Sequence, residues 1–203
     1  MKKLVQLFAA LLIAGCGEKS LSDSKVKKLL EEAVEIDSLQ ERDALVYRVN
    51  ESEPYSGWAK EMYDSGQVKG LAQFKDGKPD GLQAMWYENG QKSEEYTYKD
   101  GKYDGLGTNW YENGQKAGEG NFKDGKPNGL AMRWYENGQK HSETNFKDGE
   151  SLALIWNAFV WKPNGDKCPL TNLVNGNGVV VEYKEDGTEK RRVTYNDGVK
   201  VED

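Results

Sequence analysis

Three glutamates, Glu95, Glu119 and Glu143, recur at a 24-residue step, and each follows a lysine by three residues: Lys92, Lys116 and Lys140. Paired carboxylates can divide into a general acid and a general base, or hold a cation, only when their surroundings differ. Identical copies supply identical surroundings, so the row reads as a solvated, charge-balanced face. Asp76, Asp100, Asp124 and Asp148 stand before glycine or in the matching place at the same step. They lack the dense Asp/Asn/Gly spacing of a calcium loop and read as turn residues. His141 is the only histidine and occupies a position held by Ser93 and Ala117 in neighbouring copies. A triad needs a nucleophile and an orienting carboxylate beside the imidazole, and the flanks of His141 match those of its repeat-mates. No His/Cys cluster has metal-ligand spacing, and no glycine-rich loop opens a helix to cradle phosphate. The expectation is a chain that binds rather than catalyses, with no metal and no cofactor.

The residues suited to binding are aromatic. The stretch Gly-Leu-Xaa-Xaa-Xaa-Trp-Tyr-Glu-Asn-Gly-Gln-Lys begins at Gly81, Gly105 and Gly129. It produces a tryptophan row, Trp86, Trp110 and Trp134, and a tyrosine row, Tyr87, Tyr111 and Tyr135. Neighbours on a strand point to opposite faces, so the two rows belong to opposite sides of a sheet. These six residues are the candidate binding face. Which row faces outward depends on whether the hairpin turn has two or three residues, and spacing leaves both open. Phe74, Tyr98, Phe122 and Phe146, with Leu82, Leu106 and Leu130, form further rows that read as core.

A fixed 24-residue period implies stacked copies of one supersecondary unit. Gly81 to Tyr87 is a short run ended by Asn-Gly, a strong hairpin signal, and Lys92 to Lys99 is a second run ended by Asp-Gly. One such hairpin cannot offset its own ordering entropy and needs neighbours. The predicted fold is therefore mainly β: an elongated antiparallel sheet of tandem hairpins with a short N-terminal helix. Six units are expected, with a weaker first copy around Gly57 to Gly77 and a last copy from Gly178 to Gly198. An irregular insert spans 150–177, and the repeat domain as a whole spans 42–203. Val26, Leu29, Leu30, Ala33 and Val34 place an apolar stripe on a helix over 25–38, expected to cover the open first edge of the sheet.

The Tyr-Xaa-Xaa-Gly and Phe-Xaa-Xaa-Gly steps, the Gly-Lys-Pro-Asp-Gly linker and the recurring Tyr-Glu-Asn-Gly-Gln-Lys resemble MORN repeats. The similarity is to the bacterial variant described as antitoxin-like, over residues 42–200. The resemblance implies the hairpin fold and a protein partner.

Met1 to Gly15 has Lys2 and Lys3 before an apolar run of 11 residues, Leu4 to Ala14, too short for a bilayer span of about 20. It closes on Ile13-Ala14-Gly15-Cys16, which resembles the lipobox of bacterial lipoproteins. That resemblance implies a signal peptide over 1–15, a lipid on Cys16 and a tether over 16–24. It also implies a place in the cell envelope, with the outer membrane favoured where one exists. Cys168 is the only other cysteine, so acylation of Cys16 leaves no partner for an intrachain disulfide. The whole chain carries −6, and removing Lys2 and Lys3 with the signal makes it −6 − 2 = −8. Such a chain is unsuited to nucleic acid, whose backbone needs clustered Lys and Arg. The function implied is a membrane-anchored, protein-binding scaffold of antitoxin or immunity type. The alternative is a glycan or cell-wall module using exposed aromatic rows.

Overall fold

The computed structural model describes residues 23–147 and 154–201. The signal segment and Cys16 lie outside the described residues, as does part of the 150–177 insert.

The order is a helix α1 (Asp23–Glu32), then strands β1 (Val34–Glu35), β2 (Leu39–Arg42), β3 (Leu45–Arg48), β4 (Gly57–Met62) and β5 (Val68–Lys75). The regular copies follow as β6 (Lys78–Trp86), β7 (Lys92–Lys99), β8 (Lys102–Trp110), β9 (Lys116–Lys123), β10 (Lys126–Trp134) and β11 (Lys140–Lys147). The chain closes with β12 (Leu154–Val160), β13 (Gly178–Tyr183), β14 (Glu189–Asn196) and β15 (Val199–Lys200). Strands β4 to β12 pair consecutively and antiparallel, and β1 adds in parallel beside β4, giving a 10-stranded sheet.

Two turn types alternate, each dictated by its residues. Asp100 and Gly101 both take positive φ, 50° and 81°, between the paired Lys99 and Lys102, a two-residue type I′ turn. The turn is so tight that the strand resumes at Lys102, and by the same device β6 begins at Lys78 rather than Gly81. Asn-Gly behaves differently. Only Gly90 has positive φ, 84°; its N–H bonds Tyr87 O at 2.9 Å while Tyr87 N–H bonds Gln91 O at 2.8 Å. That is a three-residue turn with a glycine bulge, and it sets the register that spacing left open.

Cross-strand pairing fixes two faces. Leu71, Ala84, Glu95, Thr108, Glu119, Met132 and Glu143 follow one another across one face, which also carries the tryptophans. Gln83, Tyr96, Gly107, Gly120, Ala131 and Thr144 follow one another across the other. Helix α1 lies on the tryptophan face, burying Leu29 and Ala33 against Leu71, Ala84 and Trp86. The expectation of a helix over the first edge is thus corrected: α1 covers a face. It ends at Glu32, before Asp37, because Val34 and Glu35 leave to pair with β4. That pairing and the β2–β3 hairpin occupy the edge instead, with Val46 N–H bonding Gly77 O at 2.8 Å.

The array is not one continuous ribbon. Beyond β12, a segment from Cys168 to Gly176 bonds along that strand's outer edge through Val160, Ala158 and Trp156. The last copy then forms its own three-stranded sheet, β13–β14–β15. The described part of the 150–177 insert, residues 154–177, is largely strand and turn. Trp161 to Asp166 reproduces the three-residue turn, with Gly165 N–H bonding Lys162 O at 2.9 Å.

Candidate binding cleft

Tyr87 shows what the tyrosine row does. Its hydroxyl donates to Trp110 O at 2.7 Å, Tyr111 donates to Trp134 O at 2.8 Å, and Tyr135 donates to Trp161 O at 2.8 Å. Tyr63 begins the series with Trp86 O at 2.8 Å. Beside it, Asn89, Asn113 and Asn137 donate from Nδ2 to Glu112 O, Glu136 O and Pro163 O. The Tyr-Glu-Asn-Gly-Gln motif is therefore a clip that fixes one turn to the next. Burial pushes the Tyr135 phenol up to about 12, so the hydroxyl stays protonated and remains a donor.

The tryptophan row has a different environment. Trp86 is 9 % exposed beneath α1, whereas Trp110 and Trp134 are half-buried. Lys92 Nζ stands 5.6 Å from the Trp110 ring centre and Lys116 Nζ 6.0 Å from that of Trp134, within reach of a cation–π attraction. The same lysines form ion pairs with Glu95 and Glu119, and Lys140 pairs with Glu143 at 3.1 Å. The glutamate row thus shares one repeated environment. Among the described residues, no group of three or more His, Cys, Asp or Glu could hold a metal ion.

The six aromatic candidates therefore divide. Trp86 is covered by the helix and Tyr135, 2 % exposed, is buried, so neither presents a ring to a partner from an open face. Trp110 and Trp134 remain on the open side. Tyr111 lines a cleft on the other side, which spacing did not foresee.

That cleft, about 870 Å³, lies between the tyrosine face of β8–β12 and the β13–β14 hairpin. Its floor is small: Gly107, Gly118, Gly120 and Ala131. A Cβ on Gly107 would stand 2.5 Å from the Tyr96 ring and 3.0 Å from Phe122. The missing side chain thus lets two aromatics meet edge-on over the strand, their centres 6.0 Å and their planes 64° apart. At the other end His141 packs against Tyr135, ring centres 4.6 Å apart and planes tilted by 59°. Burial first, and then Arg133 and Lys190, push the His141 imidazole below its usual range, against the opposing pull of Glu182. Its Nδ1 is buried and has no hydrogen-bond partner. On the hairpin, Arg191 holds Glu182 in a two-point pair at 2.7 and 2.8 Å. Burial raises the Glu182 carboxyl, and Arg191 outweighs it, leaving the group below the usual carboxylate range.

Cys168 lies in the apolar cluster with Val160 and Val181, its Sγ 3.0 Å from Tyr183 Oη. It packs behind the cleft wall. Glu182, Tyr183, Lys190 and Arg191 were not singled out from the sequence, because only the fold brings the last copy against the third. A signal did exist. The third copy carries Arg133 where the others have Met85 and Asn109, and His141 where they have Ser93 and Ala117.

No curated protein matches the chain. The MORN repeat variant model matches residues 79–100, 103–124 and 127–148, which are the strand pairs on either side of the Asn-Gly turns from β6 to β11. Repeats of this kind generally serve as protein- or membrane-binding modules. Residues 79–148 thus match the MORN repeat variant in three consecutive copies, clipped turn to turn by Tyr87, Tyr111 and Tyr135.

Proposed function

We propose that the protein is a non-catalytic, protein-binding repeat scaffold of the bacterial cell envelope, tethered by lipid on Cys16. Its role is antitoxin- or immunity-like: capture of a protein partner. The observation that supports this reading is the cleft of about 870 Å³, lined where the copies cease to resemble one another. Repetition builds the scaffold, and the departures from it make a surface that only one partner shape fits.

A photo-reactive residue in place of Asn109, which lines the cleft, tests the reading in cells. One partner protein should cross-link there and not from Leu130, which sits exposed on the tryptophan side. Equal adducts at both positions, or none at Asn109, would remove the cleft from the account. Cys16→Ser should leave the chain unacylated and in the soluble fraction; normal membrane partitioning of that variant would refute the tether.

The half-buried Trp110 and Trp134 support the alternative, a glycan or cell-wall ligand stacked on indole rings. Sedimentation with purified peptidoglycan, lost on Trp110→Ala with Trp134→Ala, would favour that reading over the protein partner.

A further inference from the structure

Charge on the cleft lining is unevenly distributed. Arg133 enters from β10, and the β13–β14 hairpin brings Lys184, Lys190 and Arg191 to the opposite wall. Arg191 is committed to Glu182, and Glu119, at the cleft border, belongs to the tryptophan face and is committed to Lys116. Setting those two pairs aside leaves Arg133, Lys184 and Lys190 against Glu185 alone among the described lining residues. The chain as a whole carries −6, so this is a local reversal of sign. The imidazole of His141 registers it, since Arg133 and Lys190 both disfavour its proton. Away from that end, Tyr96, Phe122, Phe146 and Ile155 line the cleft, an apolar stretch with one polar end, the usual make-up of a ligand site.

We propose that the cleft takes an acidic peptide segment of the partner, a carboxylate held by Arg133 and Lys190 beside His141 and an apolar side chain against Tyr96 and Phe122. The inference rests on the protein-binding reading above and adds the chemistry of what is bound. Carboxylates suit the site because guanidinium and ammonium groups on facing elements can grip one oxygen each.

His141 is the only histidine, so its imidazole signal in an NMR spectrum of the full chain in detergent is unambiguous. Three mixtures of short capped peptides serve as probes. Two positions drawn from Leu, Phe and Tyr precede Glu-Glu, Gln-Gln or Lys-Lys. The Glu-Glu mixture should move the His141 signal and raise its titration midpoint, because a nearby anion favours the imidazolium. Arg133→Gln and Lys190→Gln should each weaken that mixture about two- to fivefold. Lys102→Gln, beside a distant Asp-Gly turn, should not.

Equal response to Gln-Gln, preference for Lys-Lys, or no response to any mixture overturns the acidic-segment proposal. Where the photo-reactive residue at Asn109 still cross-links to a protein, such a result leaves the binding reading intact. Loss of both results removes the two together.

Discussion

Tyr87, Tyr111 and Tyr135 convert a sequence repeat into a fixed spatial repeat, each through one hydroxyl on the carbonyl of the next copy. A net hydrogen bond contributes about 1 kcal/mol, so Tyr87→Phe and Tyr111→Phe should each lower unfolding stability by about that amount in urea titrations. The double variant should approach the sum, since the two bonds share no partner. Gly90 presents a cleaner backbone case. It sits at φ 84° and an added Cβ would meet nothing within 4 Å. Gly90→Ala should therefore cost about 1–2 kcal/mol purely from the left-handed conformation, and Gly90→Asn should recover part of that in the same titration. His141 adds a pH dependence. Its pKa is lowered in the folded chain, so the unfolded chain binds more protons below about 6.5. Stability should fall as pH drops through 6.5 toward the lower folded value and then level off for this group. His141→Gln should flatten that segment of the curve; an unchanged slope would contradict the burial of the ring.

The helix explains why the first copy differs from the others. α1 rests on Val68, Leu71, Ala84 and Trp86. One step along, the corresponding places are Lys92, Glu95, Thr108 and Trp110. A Lys–Glu pair replaces the apolar seat, so the helix has one place to dock while the later tryptophans keep a charged cover. Leu29→Ala should cost about 2–5 kcal/mol, as for other buried Leu→Ala replacements, with a red shift of tryptophan emission as Trp86 gains solvent. An unshifted emission would mean that the helix does not cover Trp86. At the other end, the β14–β15 turn is tied back to β12, Ile155 N–H bonding Gly198 O at 3.2 Å. That closes the cleft from one side and secures the final copy.

Across the whole molecule, the period makes the array modular. Excision of residues 105–128 removes one full step, and it leaves Tyr87 facing Trp134 as its new acceptor. Such a variant should fold with the same turn clips and lower stability, as expected for a sum of unit and neighbour terms. Excision of 105–116, half a step, should not fold, because a strand would meet a partner in the wrong register. Circular dichroism and the urea midpoint distinguish the two outcomes.

The chain by itself determined everything periodic: hairpin strands, glycine turns, the two aromatic rows on opposite faces, and their assignment to MORN-variant repeats. Each follows from contacts between residues close in sequence or one step apart, and a repeated sequence displays those contacts many times over. Tertiary structure decided what happens once. Only the three-residue turn at Gly90 shows which row clips the copies; only the docking of α1 removes Trp86 from the surface; only the separate last sheet brings Glu182 and Lys190 to His141. The physical reason is range. The cleft joins β10 to β14 across more than fifty residues of chain, and no local propensity or spacing encodes such a meeting.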